Sequence, residues 1–254
     1  MSIKIPFGEI PPYPGELVEG EESENVKLFQ ELLTLVGFTV EIDGVFSVAT
    51  RNALRSMTGI STINETVWSI LTASFSHALR EIPAKPTLEA TALEYAKRHL
   101  KSGARELNDN AGPWVRLYTR GYDGPEFYWC AGFVSFCIAQ ARNTVDPLPL
   151  SHAYTGIPYS LGCDELGEWA RDNGVLITNP EQHSVQPGSV FLEGSADFDL
   201  ETNPNYTHTG FVDEFYGDSF TSVEGNFKDK VFAKYRAFGT RVIHFIDPTV
   251  AVIA

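Results

Sequence analysis

Along the chain, helical spacing of apolar residues gives way to short β-rich runs, and that order, helices first and strands afterwards, admits few folds. Val190–Leu192 follows a Pro187-Gly188 turn, and His208–Phe215, Ser219–Glu224 and Arg241–Ile246 are separated by Gly, Asn and Asp. Runs of this kind read as strands joined by tight turns. Upstream, Phe133, Val134, Cys137, Ile138 and Ala141 form a helical stripe after Cys130, and Leu161, Leu166, Trp169 and Ala170 form another over about 161–173. Segregated helices and strands predict an α+β fold, with helices packed on an antiparallel sheet.

The first third carries a separate pattern. Val26, Phe29, Leu32, Leu33 and Val36 recur at helical spacing, with Ser23 as cap and Gly37 as stop. A second helix runs from about Val48 to Met57 after Ser47, and Asn64 opens a third with Val67, Trp68 and Leu71. The chain therefore divides into an extended Pro-, Gly- and Glu-rich arm (1–22), a three-helix domain (23–75), a linker (76–86) and a larger domain (87–254). The three-helix core of about 50 residues lies near the lower limit for independent stability.

Charge narrows the partners. The 254 residues carry a formal net charge of −14. Nucleic-acid tracking needs clustered cations, so nucleic-acid binding is not expected. No apolar run approaches the ~20 residues of a membrane span, so no membrane insertion is expected. The opening 22 residues show no apolar core of a secretory signal peptide. The expectation is synthesis in the cytoplasm and delivery by another route.

Three cysteines do not make a disulfide scaffold, so the question is whether one is chemical. Cys130 sits where an irregular stretch, Gly121 to Pro125, becomes an apolar helix. The unpaired N–H groups and positive dipole end of a helix start favour thiolate, which a cysteine nucleophile requires. His208 begins a strand and is a candidate base. Glu224 and Asn226 follow in SVEGNF, two positions apart and on one face if the strand is regular. Either could accept the imidazole N–H and fix its tautomer. Cys137 reads as packing. Cys163 opens a helix after Leu161-Gly162, but no His-led strand follows it at a fitting spacing. His152 and His183 fall in loops, His244 reads as structural, and His77 and His99 read as surface residues.

The ordered set WCAGFVSF, QPGSVFLE, YTHTGFV and VEGN, over residues 129–226, resembles the CHAP domains, the cysteine- and histidine-dependent amidohydrolase/peptidases of the papain-like cell-wall hydrolases. The surrounding pattern extends the resemblance over most of 87–247. It implies Cys130 as nucleophile, His208 as base, Glu224 as the group orienting His208, and Asn226 as a fourth polar residue. Some members carry an Asp-rich calcium loop before the cysteine. Here RGYDGPEFYWC offers only Asp123 and Glu126, so neither metal nor other cofactor is expected. An acidic stretch, GSADFDLETNPNY (194–206), precedes the histidine strand and reads as a solvated loop.

VKLFQELLTLVGFTVEIDGVFSVATRNALRSM is similar to the three-helix peptidoglycan-binding domains with an Asp-Gly-Val/Ile-Phe-Gly turn; Asp43-Gly44-Val45-Phe46 and Thr50 match, and Ser47 replaces the last Gly. The resemblance implies glycan contacts near that turn. Asp43, Phe46 and Trp68 are candidates, with Trp129 beside the nucleophile, although aromatic residues of this kind more often pack in cores. The implied activity is hydrolysis of a peptidoglycan amide, as N-acetylmuramoyl-L-alanine amidase or endopeptidase. The implied partners are peptidoglycan and, for an effector injected into rival bacteria by a contact-dependent system such as type VI secretion, an immunity protein. A phage lysin is the second setting. A wall-binding module without activity and a cysteine amidase acting on a non-wall amide are the competing readings.

Overall fold

The computed structural model describes residues 9–145, 156–180, 185–239 and 241–248; His152 and His183 lie outside this set. Contacts divide the chain into two compact units, one of residues 1–80 and 105–126, the other of 81–104 and 127–254. The sequence pattern predicts a second domain unbroken from 87; residues 105–126 instead cluster with the first unit. Among the described residues no helix is long and apolar enough to cross a membrane.

The first unit contains α1 (Glu24–Leu35), α2 (Val48–Thr58), α3 (Glu65–Leu71), α4 (Ala73–Leu79) and α6 (Pro113–Tyr118). Its helix starts follow the caps expected: Ser23, Ser47 and Asn64 side chains accept from the N–H groups of Val26, Thr50 and Val67. α4 occupies part of what reads as linker. α6 starts with Pro113 at its first position and stacks Trp114 on Phe75, ring centroids 3.8 Å apart. Arg116 of α6 reaches both oxygens of Glu31 on α1 and, at 2.6 Å, Asp123 Oδ2. Asp123 also accepts from the Gly112 N–H. These pairings tie 105–126 into the first unit.

The second unit contains α5 (Leu88–Lys101), α7 (Cys130–Thr144), α8 (Cys163–Asp172) and strands β1 (Leu176–Ile177), β2 (Val190–Gly194), β3 (Tyr206–Phe215), β4 (Ser219–Phe227), β5 (Lys230–Ala237) and β6 (Ile243–Ile246). The strands form one antiparallel sheet in the order β1-β6-β2-β3-β4-β5. The fold class is thus α+β, as the order of helical and strand-like patterns predicts. Phe191, Val212, Phe220 and Phe245 lead an apolar cluster on the sheet. α7 packs against α5, β3 and β4.

That last contact positions the candidate site, and it depends on a missing side chain. A Cβ at Gly225 would lie 2.5 Å from Phe133 Cβ, far inside contact distance. Phe133 is one helical turn beyond Cys130, and Gly225 directly follows Glu224. The glycine therefore lets the helix that presents the thiol close onto the strand that presents the carboxylate.

Candidate active site

Cys130 is the first residue of α7, whose N-cap, Trp129, makes no side-chain capping bond. The helix start leaves amide donors for the sulfur, and the Ala131 N–H bonds to it. The Cys130 thiol is held well below its ordinary pKa: first by a hydrogen bond with Cys163, then by one with His208 and that ring's charge, against the opposing effect of burial. His208 lies on β3, and its Nε2 is 2.7 Å from Glu224 Oε2 on β4. Engagement of Nε2 leaves Nδ1 as the nitrogen for the thiol proton. Burial pushes the imidazole pKa down, but the hydrogen bonds to Cys130 and Glu224 outweigh it and raise the pKa to about 9. The arrangement favours a thiolate–imidazolium pair.

Glu224 is fully buried. An isolated carboxylate there would protonate. It remains charged because Arg236 on β5 donates from Nε to Oε1 at 2.6 Å and from Nη2 to Oε2 at 2.8 Å. The Ser222 hydroxyl adds a short bond to Oε1. Burial raises the Glu224 pKa, but Arg236 and His208 outweigh it and bring it to about 2. Arg236 itself pairs with Glu193 on β2 and lies 4.5 Å from the centre of the Phe191 ring. The guanidinium thus ties three strands together behind the imidazole.

Cys130, His208 and Glu224 are brought together as the motif order suggests. Asn226 differs. The β4–β5 register shifts between Glu224 and Phe227, and Asn226 has φ 54°, in the left-handed region. The strand is bulged, so the same-face expectation for Glu224 and Asn226 fails.

The aromatic contacts proposed from sequence are core residues. Trp129 is fully buried, as is Phe46, stacked on Phe29, and Trp68 is buried, its Nε1 donating to the Pro11 carbonyl at 2.7 Å. None presents a ring to a ligand. Asp43 is exposed, but its Oδ1 accepts from Gln30 Nε2 at 2.8 Å and from the Val45 N–H at 2.9 Å. Buried Gln30 also accepts from the Gly44 N–H at 2.8 Å, so the Asp-Gly turn is fastened to α1 from within.

His99 corrects a further expectation. It is buried on α5, 2.9 Å from Gln140 Oε1, with its ring edge-on to Phe133 and Phe136. His244 is buried and accepts or shares a 2.6 Å bond with the Tyr206 hydroxyl. Cys137 is buried and its pKa is pushed well up by that burial. The 194–206 loop is anchored by Phe198, which packs on Tyr206 and His244, and Asp199 accepts from the N–H groups of Glu201 and Thr202.

Two residues escaped the sequence reading. Arg236 lies on β5, a strand signalled only by Val231 and the alternation that follows it. Cys163, set aside for lack of a histidine partner, has its sulfur 3.5 Å from that of Cys130. Comparison of the chain with protein-family models, curated proteins and solved structures gives no match.

Proposed function

We propose that the chain is a cysteine amidohydrolase/peptidase acting on peptidoglycan, with a papain-like catalytic unit. The observation that carries the enzyme reading is the placement of Cys130, at a helix start, close enough to His208 for each to shift the other's pKa, with His208 Nε2 bonded at 2.7 Å to Glu224. The choice of wall amide as substrate rests on the resemblance of WCAGFVSF, QPGSVFLE, YTHTGFV and VEGN to CHAP domains and of the Asp43-Gly44 region to wall-binding domains.

In this reading the Cys130 thiolate attacks the amide carbonyl. The N–H groups at the start of α7 receive the oxyanion, as preorganised donors of this kind do. Imidazolium His208 gives its proton to the leaving amine, and water hydrolyses the thioester with His208 as base. Glu224 keeps the ring oriented and offsets its charge, and the Arg236 fork keeps Glu224 ionised.

The test is digestion of purified sacculi, with fragments identified by mass spectrometry. Soluble muropeptides bearing new amine and carboxyl termini are expected from the wild type, and none from Cys130→Ala. Equal release by both would sink the reading. The fragments also separate cleavage at the glycan–peptide junction from cleavage within the stem or cross-bridge.

A further inference from the structure

Cys163 is placed beside Cys130 by a set of bonds that fix its backbone. Ser135 on α7 and Ser160 exchange two hydrogen bonds: the Ser135 hydroxyl donates to the Ser160 carbonyl at 3.0 Å, and the Ser160 N–H donates to the Ser135 hydroxyl at 3.1 Å. The Gly162 N–H then bonds to the Ser160 hydroxyl at 2.9 Å, which contacts Glu165 on the first turn of α8. On the other side, Asp164 accepts from the Tyr206 N–H at the head of β3, at 2.5 Å. The segment is clamped to the helix of one candidate catalytic residue and to the strand of another. Cys163 thus begins α8 as Cys130 begins α7, and the two sulfurs lie 3.5 Å apart.

We infer that Cys163 is a resolving thiol: oxidation of Cys130 by a hydroperoxide is captured as a reversible Cys130–Cys163 disulfide that switches the site off. A covalent S–S bond of about 2 Å needs the sulfurs to close by only about 1.5 Å, within reach of side-chain rotation at two adjacent helix starts. The inference rests on the proposed nucleophilic role of Cys130 only for its consequence, loss of activity. The bond itself depends on geometry and on thiolate character.

The Cys130 thiolate attacks a peroxide oxygen, the O–O bond breaks, and the departing alkoxide or hydroxide takes a proton from His208. Cys130 is then a sulfenic acid. Cys163 attacks its sulfur and the hydroxyl leaves with the Cys163 proton as water, so two thiols lose two electrons to one peroxide. Without a neighbouring thiol, the sulfenic acid is open to further, irreversible oxidation. Cys137, on the same helix and buried without activation, serves as the internal comparison.

The experiment treats the full-length protein with equimolar hydrogen peroxide at neutral pH, alkylates remaining thiols under denaturing conditions, and maps the peptides by mass. The expected product is a loss of two hydrogens, a cross-linked Cys130–Cys163 peptide pair, alkylated Cys137, and full reversal by dithiothreitol. Cys163→Ser should instead stop at sulfenic acid on Cys130 and, with a second equivalent of peroxide, accumulate sulfinic acid there, while Cys137→Ser should still cross-link. Wild-type protein that carries sulfinic acid at Cys130 with Cys163 alkylated, or that cross-links through Cys137, would overturn the inference. So would thiols left unreacted. The readout is a mass and does not depend on wall hydrolysis. A chain that cross-links but leaves sacculi intact would remove the proposed function alone, and one that digests sacculi but never cross-links would remove this inference alone.

Discussion

Arg236 grips Glu224 through both carboxylate oxygens, at 2.6 and 2.8 Å, inside a part of the sheet where neither side chain meets solvent appreciably. A buried pair of this kind contributes little relative to an apolar replacement of both members, but removing one member strands the other charge. The guanidinium is therefore the condition on which Glu224 can be an anion behind His208.

Replacing Arg236 with Met should cost about 3–5 kcal/mol of stability, read as a lowered urea midpoint. Among folded molecules, Glu224 should take up a proton at a higher pH than in the wild type. Arg236→Lys should recover part of the stability but less of the orientation, because an ammonium cannot reproduce the two parallel bonds. Hydrolytic activity unchanged in Arg236→Met would show that Glu224 does not act through its charge.

The thiolate–imidazolium pair should be visible without any substrate. Cys130 is held below the ordinary thiol value of 9.0, and His208 is raised to about 9. The rate of Cys130 alkylation by iodoacetamide should already be substantial well below pH 9.0 and rise again as His208 deprotonates near 9. Hydrolysis of an amide substrate should fall over that same upper step, because the leaving amine loses its proton donor. His208→Ala should replace the two-step alkylation profile with a single rise at higher pH. A wild-type profile with one step near 9 would remove the ion pair.

Gly225→Ala should be among the most damaging single-methyl additions in the second unit. The new carbon would lie 2.5 Å from Phe133 Cβ, and overpacking of this kind costs about 1–3 kcal/mol. Because relief requires α7 to move off β4, activity should fall further than stability alone explains. Wild-type turnover in this variant would show that the close approach is not needed.

Acid should destabilise the protein before Glu224 titrates. Burial brings the His244 pKa from 6.5 down to about 4, so the folded state prefers the neutral ring. That contribution is fully present above 6.5 and is lost as pH falls through 4. Glu224, at about 2 against an ordinary 4.5, loses its contribution only below 4.5. Urea midpoints between pH 7 and 4 should decline in the wild type and decline less in His244→Gln. A flat wild-type profile over that interval would count against the assignment.

Much of this was readable from residue order alone. Ser23, Ser47 and Asn64 announced their helices because a short polar side chain before an apolar stripe has one cheap use. The Cys130, His208 and Glu224 positions were legible because a helix start and two strands carried them in a recognisable order. β5 was not, and with it Arg236. Its hairpin turns at Lys228 and Asp229, both with positive φ; such two-residue turns usually advertise themselves with Asn or Gly. The Cys130–Cys163 approach was also hidden. It depends on Ser135 and Ser160 fastening two distant segments, and no periodicity encodes a clamp between hydroxyl and backbone. Trp129, Phe46 and Trp68 misled in the opposite direction: a large ring is equally good filler and binding surface, and only burial tells them apart.

The excursion of residues 105–126 into the first unit has a consequence for synthesis. A chain emerging from the ribosome exposes α1 through α4 well before Arg116 is available to Glu31. Until residue 116 has appeared, Glu31 waits without its cation and Phe75 without the ring that covers it. Since domains generally fold as units in order of emergence, the amino-terminal half must hold its shape incompletely while a segment of its partner, 81–104, is already being made. Cutting the gene after residue 80 would leave the first unit without 105–126, and cutting it after residue 126 would leave the second without 81–104.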